Sequence, residues 1–129
     1  MIVTDASAVL DVLLHPADVA PLAKLLLAST DPLAAPDLLD VEVLSVLCRW
    51  ERRGDITARR AAQALDDLGV LPIVRHPARA LTQTAWRLRH TLTAYDAQYV
   101  ALAQILAARL LTTDQRMANA ARAAGVPAL

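Results

Sequence analysis

Short apolar runs alternate along this chain with longer stretches of helical periodicity. The short runs predict strands at residues 2–3, 70–74 and 110–112, and at most a short extended piece at 33–35. The longer stretches predict helices over residues 6–14, 19–28, 38–53, 57–68, 78–90, 95–108 and 114–124. Buried strands that alternate with helices are typical of a parallel sheet covered on both faces. The pattern therefore predicts the α/β class.

The distribution of proline and glycine along the chain fits one domain over residues 1–129. Seven prolines are spread singly, only three glycines occur, and no repeat or linker interrupts the pattern. Asp37 is predicted to cap the helix from Leu38, and Gly54 and Gly69 are predicted to follow helix ends. The chain length suits a single hydrophobic core.

Composition narrows the function classes. Thirteen basic residues balance thirteen acidic ones, so the broad positive charge of a general nucleic-acid binder is missing. The mean hydropathy is +0.36, yet no apolar run approaches the ~20 residues that span a bilayer, and we expect a cytoplasmic protein. The apolar excess indicates an interface with a partner. Cys48, the single cysteine, excludes an internal disulfide and is expected to be buried.

Two acidic residues follow predicted strands directly. Asp5 comes after the first strand, and Asp114 comes after the strand at 110–112. Ligands of parallel α/β sheets bind outside the carboxyl ends of the strands, which is where both residues are expected. Each also has an ordinary explanation, because an aspartate at the start of a helix caps it.

Two further acidic residues lie on helices. Glu42 borders an apolar stripe that includes Leu39 and Val46, where an unpaired carboxylate is costly. The ordinary alternatives for Glu42 are a salt bridge to Arg49 or a solvated edge of the helix. Asp96 opens a helix and is predicted to point toward the interior. Its ordinary alternative is a capping box, with Thr93 as the N-cap and Asp96 three residues further on.

Four carboxylates that converge at one site affect one another, unlike four carboxylates that each cap a separate helix. Carboxylates without basic partners repel one another and raise each other's pKa values. Divalent cations relieve that repulsion, and oxygen ligands without Cys or His favour Mg²⁺ or Mn²⁺ over zinc. Such ions can activate water and stabilise the charge that develops on a phosphodiester. Four such acids at one site would therefore fit a Mg²⁺ or Mn²⁺ ion.

Four segments resemble the PIN-domain family, and within it the VapC-type toxins. They are Ile-Val-Thr-Asp-Ala-Ser-Ala at 2–8, Ala-Pro-Asp-Leu-Leu-Asp-Val-Glu-Val-Leu at 35–44, Leu-Thr-Ala-Tyr-Asp-Ala-Gln-Tyr-Val-Ala-Leu-Ala at 92–103 and Leu-Leu-Thr-Thr-Asp at 110–114. The resemblance implies a three-layer α/β/α fold with a short central parallel sheet. It also implies Mg²⁺-dependent or Mn²⁺-dependent cleavage of RNA, a homodimer and an inhibitory VapB-type antitoxin.

The same resemblance assigns roles to residues. The metal-site acids would be Asp5, Glu42, Asp96 and Asp114, and the hydroxyls that hold those carboxylates or a bound water would be Ser7 and Thr112. Two positions depart from the family. Ser45 stands where an Asn is common, and Met117 stands where some members carry another acid, so a second metal ion is expected to bind weakly or only with RNA phosphate.

Other interpretations remain open at this stage. Arg116 is a candidate for contacting a phosphate, and a solvated helix surface is its ordinary alternative. The chain could be a catalytically silent PIN-like module that binds a protein, or a DNase or structure-specific nuclease with the same acids. The expected RNA preference rests on the resemblance alone.

Overall fold

Four parallel strands form the centre of the protein. The computed structural model describes all residues, Met1–Leu129. The strands are β1 (Ile2–Thr4), β2 (Leu33–Pro36), β3 (Ile73–His76) and β4 (Arg109–Leu111). They lie in the order β3-β2-β1-β4, with Val3 beside Ala34 on one side and beside Leu110 on the other.

Helices cover both faces of this sheet. They are α1 (Ala6–Leu14), α2 (Ala20–Ala28), α3 (Leu38–Arg52), α4 (Ala58–Val70), α5 (Thr82–Arg87), α6 (Ala94–Ile105) and α7 (Gln115–Ala123), with a 3₁₀ turn at Ala78–Leu81. Every residue of β1 and β2 is buried, which requires cover on both sides. The predicted α/β class and the short central parallel sheet are confirmed.

One hydrophobic core joins the sheet to the helices. Its largest fully buried side chains include Ile2, Leu39, Leu110 and, from α6, Tyr99. The stripe of α3 that enters the core is Leu39, Val43 and Leu47, whereas Val46 and Trp50 are half-buried. Cys48 is exposed on the other side of the same helix, so its predicted burial is wrong. The predicted apolar stripe of α3 is therefore displaced by one residue in the second half of the helix, where Leu47 is buried and Val46 is only half-buried.

Several predicted element bounds shift in the structure. Helix α4 continues through Gly69 to Val70, and β3 begins only at Ile73, after the turn that contains Pro72. The predicted helix over 78–90 is a 3₁₀ turn followed by the six-residue α5. At the end of the chain a single bridge joins Ala128 to Leu110.

Asp37 does not cap its own helix. Its backbone is helical and its side chain makes no bond to α3; Oδ1 accepts the backbone N–H of Ala78 at 3.0 Å instead. The residue thereby fastens the 3₁₀ turn to the start of α3, across 41 positions of sequence. Such a partner cannot be read from local capping rules.

The carboxyl ends of the strands meet at one edge of the sheet. Thr4 at the end of β1 lies in register with Leu111 at the end of β4, so the residues that follow these two strands are neighbours. The backbone N–H of Asp5 donates to the carbonyl of Leu111 at 3.1 Å and extends the pairing by one residue. This edge brings the first and last acidic motifs together.

None of the helices combines the length and the apolar character that crossing a bilayer requires.

Candidate active site

Asp5 is the buried centre of a hydrogen-bond network. Its side chain caps α1 through Oδ1, which accepts the N–H of Ala8 at 2.9 Å. The hydroxyl of Ser7 lies 2.8 and 2.9 Å from the two carboxylate oxygens, and the hydroxyl of Thr112 donates to Oδ2 at 2.6 Å. Asp5 is only 4% exposed. The expected cap is present, and the two hydroxyls named from sequence hold the carboxylate.

The same two hydroxyls continue the network toward β4 and α7. Ser7 Oγ accepts the N–H of Thr113 at 3.0 Å, and Thr112 Oγ1 accepts the N–H of Asp114 at 3.0 Å. Each hydroxyl thus donates to Asp5 while accepting from the turn that carries Asp114. The network fixes the position of the two acidic motifs relative to each other.

Glu42 reaches the site from the side of α3. It is half-buried, and Tyr99 donates its hydroxyl to Oε2 at 2.7 Å. This bond leaves Oε1 without a protein partner. No ion pair joins Glu42 to Arg49, so the salt-bridge alternative is wrong.

Tyr99 is packed in the core and is 1% exposed. Its hydroxyl function was missed. A signal for it exists in the sequence, because Tyr99 lies three residues after Asp96 on the same face of a helix. Burial beside Glu42 raises the pKa of Tyr99 far above its ordinary value, so the phenol remains a hydrogen-bond donor.

Asp96 and Asp114 stand at the N-terminal ends of two helices. The backbone N–H of Asp96 donates to Thr93 Oγ1 at 3.1 Å, which confirms Thr93 as the cap of α6. Asp114 caps α7 with Oδ1, which accepts from Arg116 at 2.8 Å and from Met117 at 3.2 Å. Its Oδ2 has no partner, and the residue is exposed.

The four acids are close enough to act on one another. Burial raises the pKa values of Asp5, Glu42 and Asp96, and neighbouring carboxylates raise them further. The charge of Asp96 acts on both Asp5 and Glu42, and the charge of Asp114 acts on Asp96. None of the four forms an ion pair. The structure therefore brings together all four acids predicted from the sequence.

Arg116 lies close enough to Asp96 for its charge to lower the pKa of that acid. It is exposed, on the first turn of α7. Met117 is buried, with its sulfur 3.9 Å from Thr112 Oγ1, so the position where some family members carry an acid packs here against the network.

A divalent cation would find oxygen donors but no closed cage. No group of three or more His, Cys, Asp or Glu side chains is placed as a ready set of metal ligands. Mg²⁺ keeps several waters and commonly takes one or two carboxylates together with substrate phosphates. The unpartnered Oδ2 of Asp114 and Oε1 of Glu42, with the mutual repulsion of the acids, fit such an open site.

A cavity of about 590 Å³ opens beside the acids, between α1 and α3. Its polar lining residues include Ser7 and Glu42, and its apolar lining residues include Leu10, Val46 and Trp50. Arg49 and Ser45 also face it. The cavity is therefore apolar on one part of its surface and borders the carboxylates on another.

Comparison with known proteins fixes the family. The sequence model of the PIN domain matches residues 2–123. The chain belongs to the PIN-domain family. It is 41% identical over 119 residues to Ribonuclease VapC3 of Mycobacterium tuberculosis, which covers 92% of this chain and 86% of that protein.

Two solved structures share the fold of this PIN domain. PAE2754 from Pyrobaculum aerophilum aligns with a TM-score of 0.72 at 22% identity and covers 98% of this chain and 82% of that one. VapC20 of Mycobacterium tuberculosis, described as a toxin that cleaves the sarcin-ricin loop, aligns with a TM-score of 0.69 at 16% identity, with 93% and 95% covered. At these identities the likeness concerns the fold alone.

Proposed function

We propose that this PIN domain is a metal-dependent endoribonuclease and the toxin of a type II toxin–antitoxin pair. The observation that carries the proposal is the convergence of Asp5, Glu42, Asp96 and Asp114 at the carboxyl edge of the sheet, without ion pairs. Relatives of about 40% identity over most of the chain are VapC ribonucleases, which supports RNA as the substrate over DNA.

The acids divide the work of holding a cation. Asp5, Asp96 and Asp114 would be its main ligands, and Mg²⁺ is the proposed ion, with Mn²⁺ able to substitute. When bound, the cation supplies Lewis-acid activation of water and neutralises the charge that develops on the phosphodiester. Ser7 and Thr112 keep the carboxylate of Asp5 in one orientation.

Glu42 is proposed as a further ligand or as the base that orients the attacking water. Tyr99 occupies Oε2, so Oε1 is the oxygen that can receive a proton. Burial and the charges of Asp96 and Asp5 raise the pKa of Glu42, and an acid with a raised pKa is a better base near neutral pH. Because water is the proposed nucleophile, the products should carry a 5′-phosphate and a 3′-hydroxyl. Arg116 is a candidate contact for the RNA phosphate.

The inhibitory partner is proposed to be a VapB-type antitoxin that fills the cavity between α1 and α3. Apolar side chains of the partner would pack against Leu10, Val46 and Trp50. Beside Glu42, which also lines the cavity, an arginine of the partner would pair with the unpaired carboxylates and exclude the cation. Both proteins would meet in the cytoplasm.

A homodimer is the proposed assembly of the toxin. Helices α2 and α3 expose apolar side chains, with Leu27 61% exposed and Val41 66% exposed. Leu44 on the same side of α3 is 45% exposed. Burial of such a surface in a second copy would account for the apolar excess of the sequence. Light scattering that gives one chain per particle at high concentration would contradict this assembly.

End-group analysis of cleaved RNA tests the activity. Purified protein with Mn²⁺ should yield products with 5′-phosphate and 3′-hydroxyl ends, and EDTA should abolish cleavage. Products that end in 2′,3′-cyclic phosphate, or cleavage that persists in excess EDTA, would contradict the proposed chemistry. Cleavage of DNA in preference to RNA would instead favour the DNase alternative.

A further inference from the structure

The cations of this neutral protein are segregated along the chain. Residues 68–95 contain four arginines and two histidines, and all thirteen acidic residues lie outside that segment. Since the net charge of the whole chain is zero, the rest of the protein is net negative. The charge balance of the composition therefore conceals one basic region.

Three arginines of this region lack a carboxylate partner. Arg75 pairs with Asp40 at 2.9 Å, and the other two ion pairs of the protein lie elsewhere. Arg79, Arg87 and Arg89 are exposed and form no ion pair. We call residues 79–90 the cationic segment. Its guanidinium groups are available to an anionic ligand.

Arg89 is held in a fixed position at the end of this segment. Its Nη1 donates to the carbonyl of Trp86 at 2.9 Å, and its guanidinium carbon lies 4.2 Å from the centre of the Trp86 ring. The tryptophan is 62% exposed, although burial is the usual fate of such a side chain. The two contacts leave the Nε and Nη2 hydrogens of Arg89 free to donate. An arginine held in this way loses less side-chain entropy when it binds.

The cationic segment lies next to the candidate active site. Helix α5 packs against α6, and a turn closed by the N–H groups of Thr91 and Leu92 on the carbonyl of Leu88 joins them. Asp96 stands on the first turn of α6, directly after this connection. Arg116 on α7, which lowers the pKa of Asp96, lies outside the cationic segment. The cationic segment is thus separated from Asp96 only by this short turn and the start of α6.

We propose that the cationic segment binds the phosphodiester backbone of the RNA strand beside the cleaved nucleotide, a proposal that rests on the proposed ribonuclease function. Arg87 and Arg89 would contact successive phosphates, and the exposed ring of Trp86 would give a base a surface to stack on. Recognition of this kind is independent of sequence. The basic surface would then hold the RNA strand, and the adjacent acids, which repel RNA phosphates, would hold the cation.

Fluorescence anisotropy with a short fluorescein-labelled single-stranded RNA tests the proposal. The measurement uses the full chain in an Asp5→Asn background, in which no cleavage is expected. The change Arg87→Gln/Arg89→Gln should weaken binding at least about fivefold near physiological salt and reduce the slope of log K against log salt by about 1.4, or 0.7 for each lost phosphate contact. In the active background the same pair should raise KM and leave kcat nearly unchanged.

The matched control is Arg52→Gln/Arg59→Gln, which removes the same charge from two exposed arginines at the α3–α4 junction. It should leave the salt slope nearly unchanged. Equal effects of the two double variants would overturn the proposal, because long-range charge alone would then explain binding. The proposal would also be overturned if polyglutamate bound to the cationic segment and left the affinity for RNA unchanged. Cleavage by the wild type is recorded in parallel: if it fails, the proposed function fails too, whereas cleavage with an unchanged salt slope refutes only the RNA-binding segment.

Discussion

Asp5 and Asp114 each follow a strand and cap a helix, but the protein holds them in different ways. Asp5 is 4% exposed, and both of its oxygens receive hydrogen bonds from Ser7, Thr112 or the backbone. Asp114 is exposed and uses only Oδ1. Asp5 is thus held by the fold through both of its oxygens, whereas Asp114 has one oxygen without a protein partner.

The difference separates two effects that mutations usually mix. A change at Asp114 can remove charge from the site while the cap survives, because asparagine caps helices as well as aspartate does. A change at Asp5 acts on a network that joins β1 to the turn after β4. The comparison therefore predicts that activity and stability respond differently at the two positions.

The largest expected effect is on turnover at the exposed acid. We expect Asp114→Asn to lower RNA cleavage about a thousandfold, since a lost cation ligand costs several kcal/mol in the transition state. The free energy of unfolding should change by less than about 0.5 kcal/mol because the cap is retained. Cleavage assays and denaturant titration measure the two quantities. Asp66→Asn, at an exposed position on α4, is the matched control and should change neither.

Sequence reasoning located the acids because strand ends and helix starts are local features. Asp5 and Asp114 stand where short apolar runs stop, and the sheet places those stops together. The same reasoning missed the hydroxyl of Tyr99, whose partner Glu42 lies 57 residues away. Local patterns contain helical faces but no information on which two faces meet.

Element bounds failed where a tertiary contact outweighed a local signal. Gly69 suggested a helix end, yet α4 continues by one residue beyond it. The helix predicted over 78–90 is a 3₁₀ turn followed by the short helix α5, and Asp37 accepts the N–H of Ala78 where this turn begins. In the same region Arg75, inside β3, pairs with Asp40. The edge of the sheet at β3 is thus determined by contacts with α3 that the sequence does not reveal.

The second expected effect tests the buried acid through stability. Asp5→Ala should lower the free energy of unfolding by about 2 to 3 kcal/mol, because the α1 cap is lost and the hydroxyls of Ser7 and Thr112 lose their acceptor. Asp5→Asn should cost little, since its amide can accept from Ala8 and donate to Thr112, and since burial disfavours the charge that it removes. Both changes should abolish cleavage. If the two variants unfold at the same denaturant concentration, the network does not stabilise the fold as described.

A third effect concerns the missed residue. Tyr99→Phe removes the donor to Glu42 and should lower the free energy of unfolding by about 1 kcal/mol. Turnover should fall roughly tenfold, because Glu42 loses the bond that orients it. Tyr95→Phe, at a tyrosine 65% exposed that makes no hydrogen bond through its hydroxyl, is the matched control. Equal activity of the two variants would show that Tyr99 is a packing residue only.

The smallest effect, on the pH dependence of stability, tests whether burial of Asp5 is costly. Burial raises the pKa values of Asp5, Glu42 and Asp96, so the folded protein binds more protons than the unfolded chain between the ordinary values, 3.8 for Asp and 4.5 for Glu, and the raised ones. In metal-free buffer these three groups therefore stabilise the protein as the pH falls through their raised pKa values, and they lower its stability as the pH rises. Asp5→Asn should flatten this dependence, which melting curves across the pH range measure as a difference from wild type. Mn²⁺ should reverse the slope, because the cation binds the deprotonated carboxylates and so stabilises most at higher pH. A wild-type and an Asp5→Asn profile that run parallel at every pH would mean that Asp5 carries its charge without cost, and the contrast with Asp114 would then be one of exposure alone.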